Sequence, residues 1–359
     1  MPTGFYSIPV SKINQETSDA VSISFDIPAL MAPLFSYKAG QYLTFSARIN
    51  NEEIRRSYSM CSSPVTGEKI TIAVKKVTDG RMSNFLNSLV SVGDQLDIMP
   101  PMGNFVLDAN PSTKHYVFFG GGSGITPLIS IIKTILVEQP VSNCLLIYAN
   151  RNEESIIFND ELESMSLQYG EKFKVIHSLD NPMNNWDGLK GYLTSDTISD
   201  ITRTHLGLNY PTAQYYTCGP RPMMDIVVES LKSMGVRDDN IHTEYFSAPP
   251  KDDAFIVPTQ EVTQSEEVTE RTIQIEVFGQ KKDVVIKPEQ TILIAAQEAG
   301  LDPPYSCTVG VCTTCRAKVR SGKTSMEERE GLSDSEIDEG YILTCQAHPL
   351  SDDVDLVFE

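Results

Sequence analysis

The stretch Pro304-Tyr-Ser-Cys-Thr-Val-Gly-Val-Cys-Thr-Thr-Cys315 sets three cysteines at the spacing C-x4-C-x2-C, and a fourth follows in Leu343-Thr-Cys-Gln-Ala-His-Pro349. Thiolates bind soft metal centres, and a single loop can supply three of them from one side. Gly310 lets the backbone curl so that amide groups can point at the sulfurs. The predicted ligands of a metal or cluster are Cys307, Cys312, Cys315 and Cys345.

The spacing of these cysteines separates two kinds of centre. It is the plant-type spacing for a [2Fe–2S] cluster, whereas structural zinc sites usually pair two short C-x2-C knuckles. Because one short pair is present, Cys312 and Cys315, the pattern favours the cluster, and zinc or four free thiols remain as alternatives. The cysteine loop and the segment around Cys345 resemble those of plant-type ferredoxins, which implies a β-grasp ferredoxin domain over 271–359.

The rest of the chain predicts two further domains and a linker. Residues 1–108 hold short alternating runs punctuated by glycine and proline, which predicts an antiparallel β-barrel or sandwich with one helix near Met82–Leu89. In 112–246, apolar strands alternate with amphipathic helices, which predicts a parallel sheet with helices on both faces. Residues 247–270 carry three prolines, two of them adjacent as Pro249-Pro250, and several acidic residues and are predicted to be a flexible linker. We therefore expect a multi-domain chain.

Composition narrows the classes of function. A chain of 359 residues with 40% apolar residues can build two or three cores. A net charge of −19 argues against nucleic acid as a main partner and favours either simple solubility or an acidic docking face. No apolar run reaches the length of a membrane span. Met1–Val10 lacks the pattern of a signal peptide, so we expect a cytoplasmic protein. The odd count of seven cysteines argues against a disulfide scaffold.

Two glycine-bearing turns follow predicted strands of the middle domain. Gly120-Gly-Gly-Ser-Gly-Ile-Thr-Pro127 lies between an apolar strand and a helix, where glycines allow a pyrophosphate to approach and the helix start favours its charge. Cys218-Gly-Pro220 also ends a strand, and such ends converge on the ligand crevice of an open parallel sheet. Each turn taken alone is also compatible with a simple tight turn. Their combination predicts a nucleotide site.

The first domain carries residues suited to a flavin. In Arg56-Ser-Tyr-Ser59 the arginine can clamp a diphosphate, the tyrosine can stack on a flat ring and the last serine can bond a ring nitrogen. Gly80-Arg-Met-Ser83 opens the predicted helix and offers a second place for a phosphate. Each motif alone is also typical of a strand face or a helix cap.

Taken in order, these motifs and the later Glu244-Tyr-Phe246 resemble the ferredoxin–NADP reductase family, in its bacterial oxygenase-reductase branch, over residues 1 to 246. The resemblance implies that FAD is bound by Arg56, Tyr58, Ser59, Ile72, Val74, Lys75, Arg81, Met82 and Ser83. The expected NAD(P)H contacts are Gly121, Gly122, Ser123, Gly124, Thr126, Arg151, Cys218, Gly219 and Pro220. Phe246 is expected near the flavin, and Tyr58, Ser59 and Cys218 are expected at the site of hydride transfer.

The resemblance implies an NAD(P)H oxidoreductase that passes electrons through FAD and the cluster to an oxygenase. With the ferredoxin last, the domain order is similar to that of branch members serving phenylacetyl-CoA epoxidase and 3-ketosteroid 9α-hydroxylase. Other acceptors remain open, namely a steroid hydroxylase, a desaturase or a hybrid-cluster protein, and so does a zinc-containing binding module. Arg81-Met-Ser83 favours FAD over FMN. NADPH is favoured because Arg151, not an acidic residue, follows the second strand of the middle domain, although Glu153 and Glu154 keep NADH open.

Overall fold

The computed structural model describes residues 4–107, 113–246 and 268–358, which belong to two compact units. One unit is Phe5–Phe246, and the other contains the carboxy-terminal residues from 268 onward. The predicted linker falls almost wholly on residues 247–267 and so lies outside the described residues. Among the helices in the described ranges, none combines the length and apolar character that a membrane span requires.

The first half of the larger unit is an antiparallel barrel, as predicted. Its elements are β1 (Tyr6–Thr17), β2 (Ala20–Phe25), β3 (Tyr42–Ile49), β4 (Glu52–Ser59), β5 (Thr71–Lys75), α1 (Arg81–Ser88) and β6 (Gln95–Ile98). The strands lie in the order β4-β3-β6-β1-β2-β5. A bridge between Met60 and Ile72, together with a 2.9 Å hydrogen bond from the Cys61 N–H to the Thr71 carbonyl, joins the two edge strands and closes the barrel.

Alternating side chains fill the barrel. Ile8, Ile23, Phe45 and Ile98 are almost fully buried and form one core, because every second residue of a strand points to the same face. The helix α1 adds Leu86 to this core, which fixes the helix against the end of β4 and β5.

The second half of the larger unit is a parallel sheet with helices on both faces, again as predicted. Its elements are β7 (His115–Gly121), α2 (Ile125–Glu138), β8 (Asn143–Asn150), α3 (Asn159–Tyr169), β9 (Phe173–Leu179), β10 (Leu189–Lys190), α4 (Ser195–Leu206), β11 (Gln214–Cys218), α5 (Arg221–Ser233) and β12 (Ile241–Glu244). The strand order is β10-β9-β8-β7-β11-β12. The chain therefore reverses direction across the sheet between β7 and β11, and ligands bind at such switch points.

The carboxy-terminal unit has the mixed sheet of a β-grasp fold. Its elements are β13 (Arg271–Val277), β14 (Gln280–Ile286), α6 (Ile292–Glu298), β15 (Arg316–Ser321), β16 (Thr324–Met326), α7 (Asp334–Asp338), β17 (Tyr341–Leu343), β18 (Ala347–Pro349) and β19 (Asp355–Phe358). The main sheet has the order β14-β13-β19-β15-β17, in which β13 and β19 are parallel. Ile292 and Ala296 of α6 pack on this sheet, and the cysteine loop connects α6 to β15.

Candidate functional site

Glycine backbones bring two strand ends into contact at the switch point. A Cβ atom on Gly124 would lie 2.1 Å from the Cys218 carbonyl oxygen, and one on Gly121 would lie 2.5 Å from Cδ of Pro220. Real side-chain carbons do not approach this closely, so glycine is required where these backbones meet. At Gly122, where φ is +51°, no atom of the described residues lies within 4 Å of a Cβ position. The loop is therefore tightly packed on one side and open at Gly122.

The glycine loop leads directly into α2. The Thr126 hydroxyl donates a 3.0 Å hydrogen bond to the Ser123 carbonyl, and the Tyr148 hydroxyl donates a 2.9 Å bond to the Gly122 carbonyl. These bonds fix the loop, and within the described residues no side chain caps the start of α2. A fixed loop with free N–H groups at a helix start suits an anionic group. The residues Gly121 to Gly124 therefore fit a pyrophosphate.

The flavin motif lies on β4. Arg56 is exposed, with Nη1 donating 2.7 Å to the Arg55 carbonyl, so its guanidinium stays within reach of a diphosphate. Tyr58 is half-buried, and its ring meets the Phe45 ring edge-on at 5.8 Å. Burial raises the pKa of the Tyr58 hydroxyl, which keeps it protonated as a donor. The exposed guanidinium and the fixed ring fit the diphosphate and the flat ring of FAD.

The side chains at the start of α1, which were expected to bind FAD, make contacts within the barrel domain. The Ser83 hydroxyl accepts from the Val77 N–H at 3.1 Å and donates to the Gly80 carbonyl at 3.2 Å, so it holds the turn before the helix. Met82 is buried in the barrel core, and Arg81 forms an ion pair with Glu52. What this segment offers a phosphate is chiefly the backbone N–H groups of the first helical turn.

The predicted residues of β5 divide between the core and the surface. Ile72 and Val74 are fully buried in the barrel core, so their side chains do not face a ligand, and their backbone alone is available to FAD. Lys75 is partly exposed, with Nζ 3.7 Å from a carboxylate oxygen of Asp19. The structure thus places two of the β5 side chains inside the barrel.

A polar cluster made of the buried Ser59 and Cys218 and the partly buried Glu244 joins the barrel to the end of the parallel sheet. The Ser59 hydroxyl donates a 3.2 Å hydrogen bond to Oε2 of Glu244, and Glu244 pairs with Cys218 in the register of β11 and β12. Burial raises the pKa of Glu244 to about 8, against the opposing effect of the Ser59 bond. Burial and the nearby Glu244 raise the pKa of the Cys218 thiol. At neutral pH the cluster thus holds a neutral thiol and a protonated carboxyl.

Glu244 is the residue of this cluster that the sequence did not assign a role. Its signal was present, since it begins Glu244-Tyr-Phe246, but nothing local predicts a hydrogen bond to a serine 185 residues away. A carboxyl with a raised pKa in a cleft is typical of functional sites. We therefore add Glu244 to the candidate residues.

The remaining nucleotide residues lie at the same edge of the sheet. Arg151 follows β8 and is exposed, and its positive charge opposes the burial that raises the pKa of Asp180 after β9. Pro220 is the N-cap residue just before α5, and a Cβ on Gly219 would lie 2.9 Å from the Gly121 nitrogen. Phe246 is 46% exposed at the end of the larger unit. All of these residues are near strand ends where a dinucleotide would lie.

The four predicted cysteines come together in the carboxy-terminal unit. The sulfur atoms of Cys307 and Cys312 are 3.2 Å apart, and the Cys345 thiol interacts with both Cys307 and Cys315. Thiol donors from Cys312 and Cys345 lower the pKa of Cys307, as expected where several sulfurs share one small volume. Four converging sulfurs fit the ligand set of a [2Fe–2S] cluster.

The backbone around the cysteine loop is shaped to surround the sulfurs. Gly310 has a φ of +80°, and a Cβ there would lie 2.5 Å from Cγ of Glu328. The Gly331 N–H donates 2.8 Å to the Gly310 carbonyl, which closes the segment 327–331 over the loop. The Val309 N–H points at the Cys307 sulfur at 3.5 Å. Such N–H groups stabilise a reduced cluster and raise its potential.

Comparison with known proteins agrees with this division of sites. Residues 7–107 match the oxidoreductase FAD-binding domain family, 118–229 the oxidoreductase NAD-binding domain family, and 275–350 the 2Fe-2S iron-sulfur cluster binding domain family. The last match supports the cluster over the zinc alternative.

Full-length relatives share the same domains. The chain is 34% identical to a component of the 1,2-phenylacetyl-CoA epoxidase of Escherichia coli (strain K12), covering 99% of this chain and 98% of that one. It is also 34% identical to the ferredoxin reductase component of 3-ketosteroid-9-alpha-monooxygenase of Rhodococcus rhodochrous, over 100% and 99% of the two chains. The structure of phthalate dioxygenase reductase superposes with a TM-score of 0.61 at 26% identity, covering 99% and 98%. The chain belongs to the family of oxygenase reductase components, oxidoreductases that carry FAD-binding, NAD-binding and [2Fe–2S] domains in one polypeptide.

Proposed function

We propose that this oxidoreductase collects a hydride from NAD(P)H at the Ser59–Glu244–Cys218 cluster and delivers single electrons from the four-cysteine loop to an oxygenase. The observation that carries the proposal is the hydrogen bond from Ser59 of the flavin motif to Glu244 beside Cys218. Because this bond joins β4 to the end of β12, it supports a flavin site and a nucleotide site that lie next to each other. Bound FAD supplies the conversion of a two-electron hydride into single electrons, which the [2Fe–2S] cluster carries onward.

The chain's own residues bind, orient and supply protons. Arg56 holds the flavin diphosphate, and Tyr58 provides a fixed surface for the flat ring. Thr126 and Cys218 flank the nicotinamide, while the open side of the glycine loop accepts the pyrophosphate. Glu244 keeps a proton at its carboxyl near neutral pH because of its raised pKa, and the Ser59 hydroxyl lies within hydrogen-bond distance of that carboxyl.

We propose NADPH as the preferred donor, through Arg151. Its exposed guanidinium follows β8, where the 2′-position of the adenosine ribose lies in this type of fold, and arginine binds phosphate well. Arg151→Gln should lower kcat/KM for NADPH about tenfold and leave NADH within about twofold. Steady-state kinetics with both donors measures this, and an equal change for the two would refute the preference.

We propose an oxygenase component as the acceptor, with phenylacetyl-CoA epoxidase as the first candidate. The support is the named relative at 34% identity over the full chain, although a steroid monooxygenase reductase is equally similar. The reduced cytoplasm is the expected compartment, because it supplies NAD(P)H and keeps cysteines free for a cluster. Purified oxygenase components of both kinds should be compared for the rate at which this reductase supports their turnover.

The separation of the two redox sites is tested by Cys312→Ser. Loss of one sulfur ligand should abolish reduction of cytochrome c, which takes electrons from the cluster, and leave reduction of ferricyanide by the flavin near its original rate. Cys144→Ala, at a buried cysteine of the nucleotide domain, is the control and should alter neither rate. If Cys312→Ser lost both activities equally, the proposed order of electron flow would be wrong.

The predicted linker has a proposed role of its own. A flexible segment of this length would let the ferredoxin domain move between the flavin and the acceptor. Deleting half of the predicted linker, residues 247–270, should slow reduction of the acceptor protein more than reduction of ferricyanide. A passive tether would leave the ratio of the two rates unchanged.

A further inference from the structure

Two hydroxyl groups on one face of α2 are bonded to the barrel segment that follows the flavin strand. The Ser130 hydroxyl donates a 2.6 Å hydrogen bond to the Ser62 carbonyl, and the hydroxyls of Thr134 and Ser63 are 2.7 Å apart. All four residues are buried. Ser130 and Thr134 are four positions apart and so face the same direction from the helix. They join the nucleotide domain to the barrel away from solvent.

A lysine on the same face adds a charged contact. Lys133 is 11% exposed, and its Nζ lies 3.3 Å from the Cys61 carbonyl, 3.3 Å from a carboxylate oxygen of Glu68 and 2.6 Å from one of Glu161. Burial alone would lower the pKa of this amine, but the two carboxylates outweigh burial and raise it. The ammonium therefore stays charged and ties Glu68 of the barrel domain to Glu161 of α3.

The barrel side of this contact is itself held in place. The Ser62 hydroxyl lies 2.8 Å from the Tyr37 hydroxyl and accepts from the Thr71 N–H at 3.0 Å. The Ser63 N–H donates to Glu68 at 2.8 Å. The segment cannot move without breaking bonds inside the barrel, so a force on α2 is transmitted to the barrel. We call Ser62, Ser63, Glu68, Ser130, Lys133 and Thr134 the interdomain clasp.

The clasp is close along the chain to both the predicted flavin site and the predicted nucleotide site. Ser62 follows Ser59 by three residues, which spans at most about 10 Å of chain. Ser130 follows Thr126 by four residues of helix, which is about 6 Å along the axis. Because these connections are short and ordered, a displacement of the clasp residues also displaces the flavin strand and the start of α2.

We infer that the clasp sets the distance between the flavin and nicotinamide sites, with Ser130, Lys133 and Thr134 as positioning residues for hydride transfer. The inference rests on the proposed function, because it concerns the same transfer. Reacting groups need near-contact geometry, and a misplacement of about 1 Å costs about 100-fold in rate. The clasp residues act through the placement of α2 and touch neither cofactor.

The test compares Lys133→Met with wild-type full-length protein loaded with FAD. Rapid mixing with NADPH or NADH should show flavin reduction slowed about 10- to 100-fold. The long-wavelength charge-transfer absorbance of NADP⁺ or NAD⁺ with reduced flavin should weaken, because it reports stacking of the two rings. Bound FAD and the dissociation constant of the nucleotide should stay near wild-type values. Lys133→Arg should recover most of the rate.

Lys232→Met provides the matched control. Lys232 is exposed on α5 and pairs with Asp238 at 3.2 Å, so the same loss of charge in the same domain should leave reduction unchanged. If Lys133→Met does not fold, Glu68→Gln removes one charge while keeping an acceptor, and it should slow reduction several-fold. Normal flavin reduction in the clasp variants would overturn the inference, as would a slowing fully explained by lost FAD or weaker nucleotide binding. Wild-type protein that NAD(P)H fails to reduce would instead overturn the proposed function.

Discussion

Gly124→Ala places a methyl group 2.1 Å from the Cys218 carbonyl oxygen and 2.4 Å from its carbonyl carbon. Ordinary contact begins at 3.4 Å, so the two backbones must separate by about 1 Å. The φ of Gly124 is −63°, which alanine adopts freely, so the clash is the main penalty. Overpacking of this kind destabilises the fold by about 1–3 kcal/mol. Replacing glycine also lowers the conformational entropy of the unfolded chain, which stabilises the fold by about 0.4–1 kcal/mol. We expect a net destabilisation of about 1–2 kcal/mol.

For a unit of this size, that loss lowers the melting temperature by about 2–8 °C. The larger effect is expected on flavin reduction by NAD(P)H, which should slow up to about 100-fold because Cys218 moves by about 1 Å. Calorimetry and rapid mixing measure the two effects on the same preparation.

Gly120→Ala is the control for this substitution. Its Cβ would lie 3.2 Å from Cδ1 of Leu128 and 3.3 Å from Cδ2 of Tyr148, so both neighbours need to give by only a few tenths of an ångström, against more than 1 Å at Gly124. Reduction at nearly wild-type rate in Gly124→Ala, with an unchanged melting temperature, would refute the assigned role of this backbone contact.

Two further perturbations test the polar cluster and the cysteine loop. Because burial raises the pKa of Glu244 from 4.5 to about 8, its protonated carboxyl stabilises the fold fully below pH 4.5, and this contribution is lost as the pH rises to about 8. Glu244→Gln should remove that part of the pH dependence of urea unfolding, and an identical pH profile would contradict it. Gly310→Ala would bring a Cβ to 2.5 Å from Glu328 at a φ of +80°, so it should reduce the iron and acid-labile sulfide bound per chain. A full complement of iron would show that the loop tolerates the change.

The apolar strands of 112–246 were predictable from the sequence, because strands such as β7 and β8 are nearly continuous buried apolar runs. The helix α4, Ser195–Leu206, carries no such continuous apolar signal. It is rich in serine, threonine and aspartate, which compete with helical hydrogen bonds. The structure retains it through the Thr194 cap and the burial of Ile198 against the sheet.

The sequence predicted the cysteine loop in more detail than it predicted the flavin and nucleotide sites. The four cysteines could be proposed as ligands because their spacing along the chain is itself the signal. Family resemblance indicated the segment Ile72 to Lys75 but not the direction of its side chains, and strand alternation places Ile72 and Val74 in the barrel. The bond between Ser59 and Glu244 depends on tertiary packing across 185 residues, so no local pattern could reveal it.

Three of the contacts that we expect to govern hydride transfer share a physical property that hides them from sequence reasoning. Ser130 bonds the carbonyl of Ser62, Lys133 bonds the carbonyl of Cys61, and Gly124 packs on the carbonyl of Cys218. Every residue has a backbone carbonyl, so the amino-acid type at these three positions does not indicate that the carbonyl takes part in a contact. For these three contacts the information lies on the α2 side, as a hydroxyl, an amine and a missing Cβ. Substitutions at Ser130, Lys133 or Gly124 should disturb the transfer, while side-chain changes that preserve the path of the facing backbone leave the three accepting carbonyls in place.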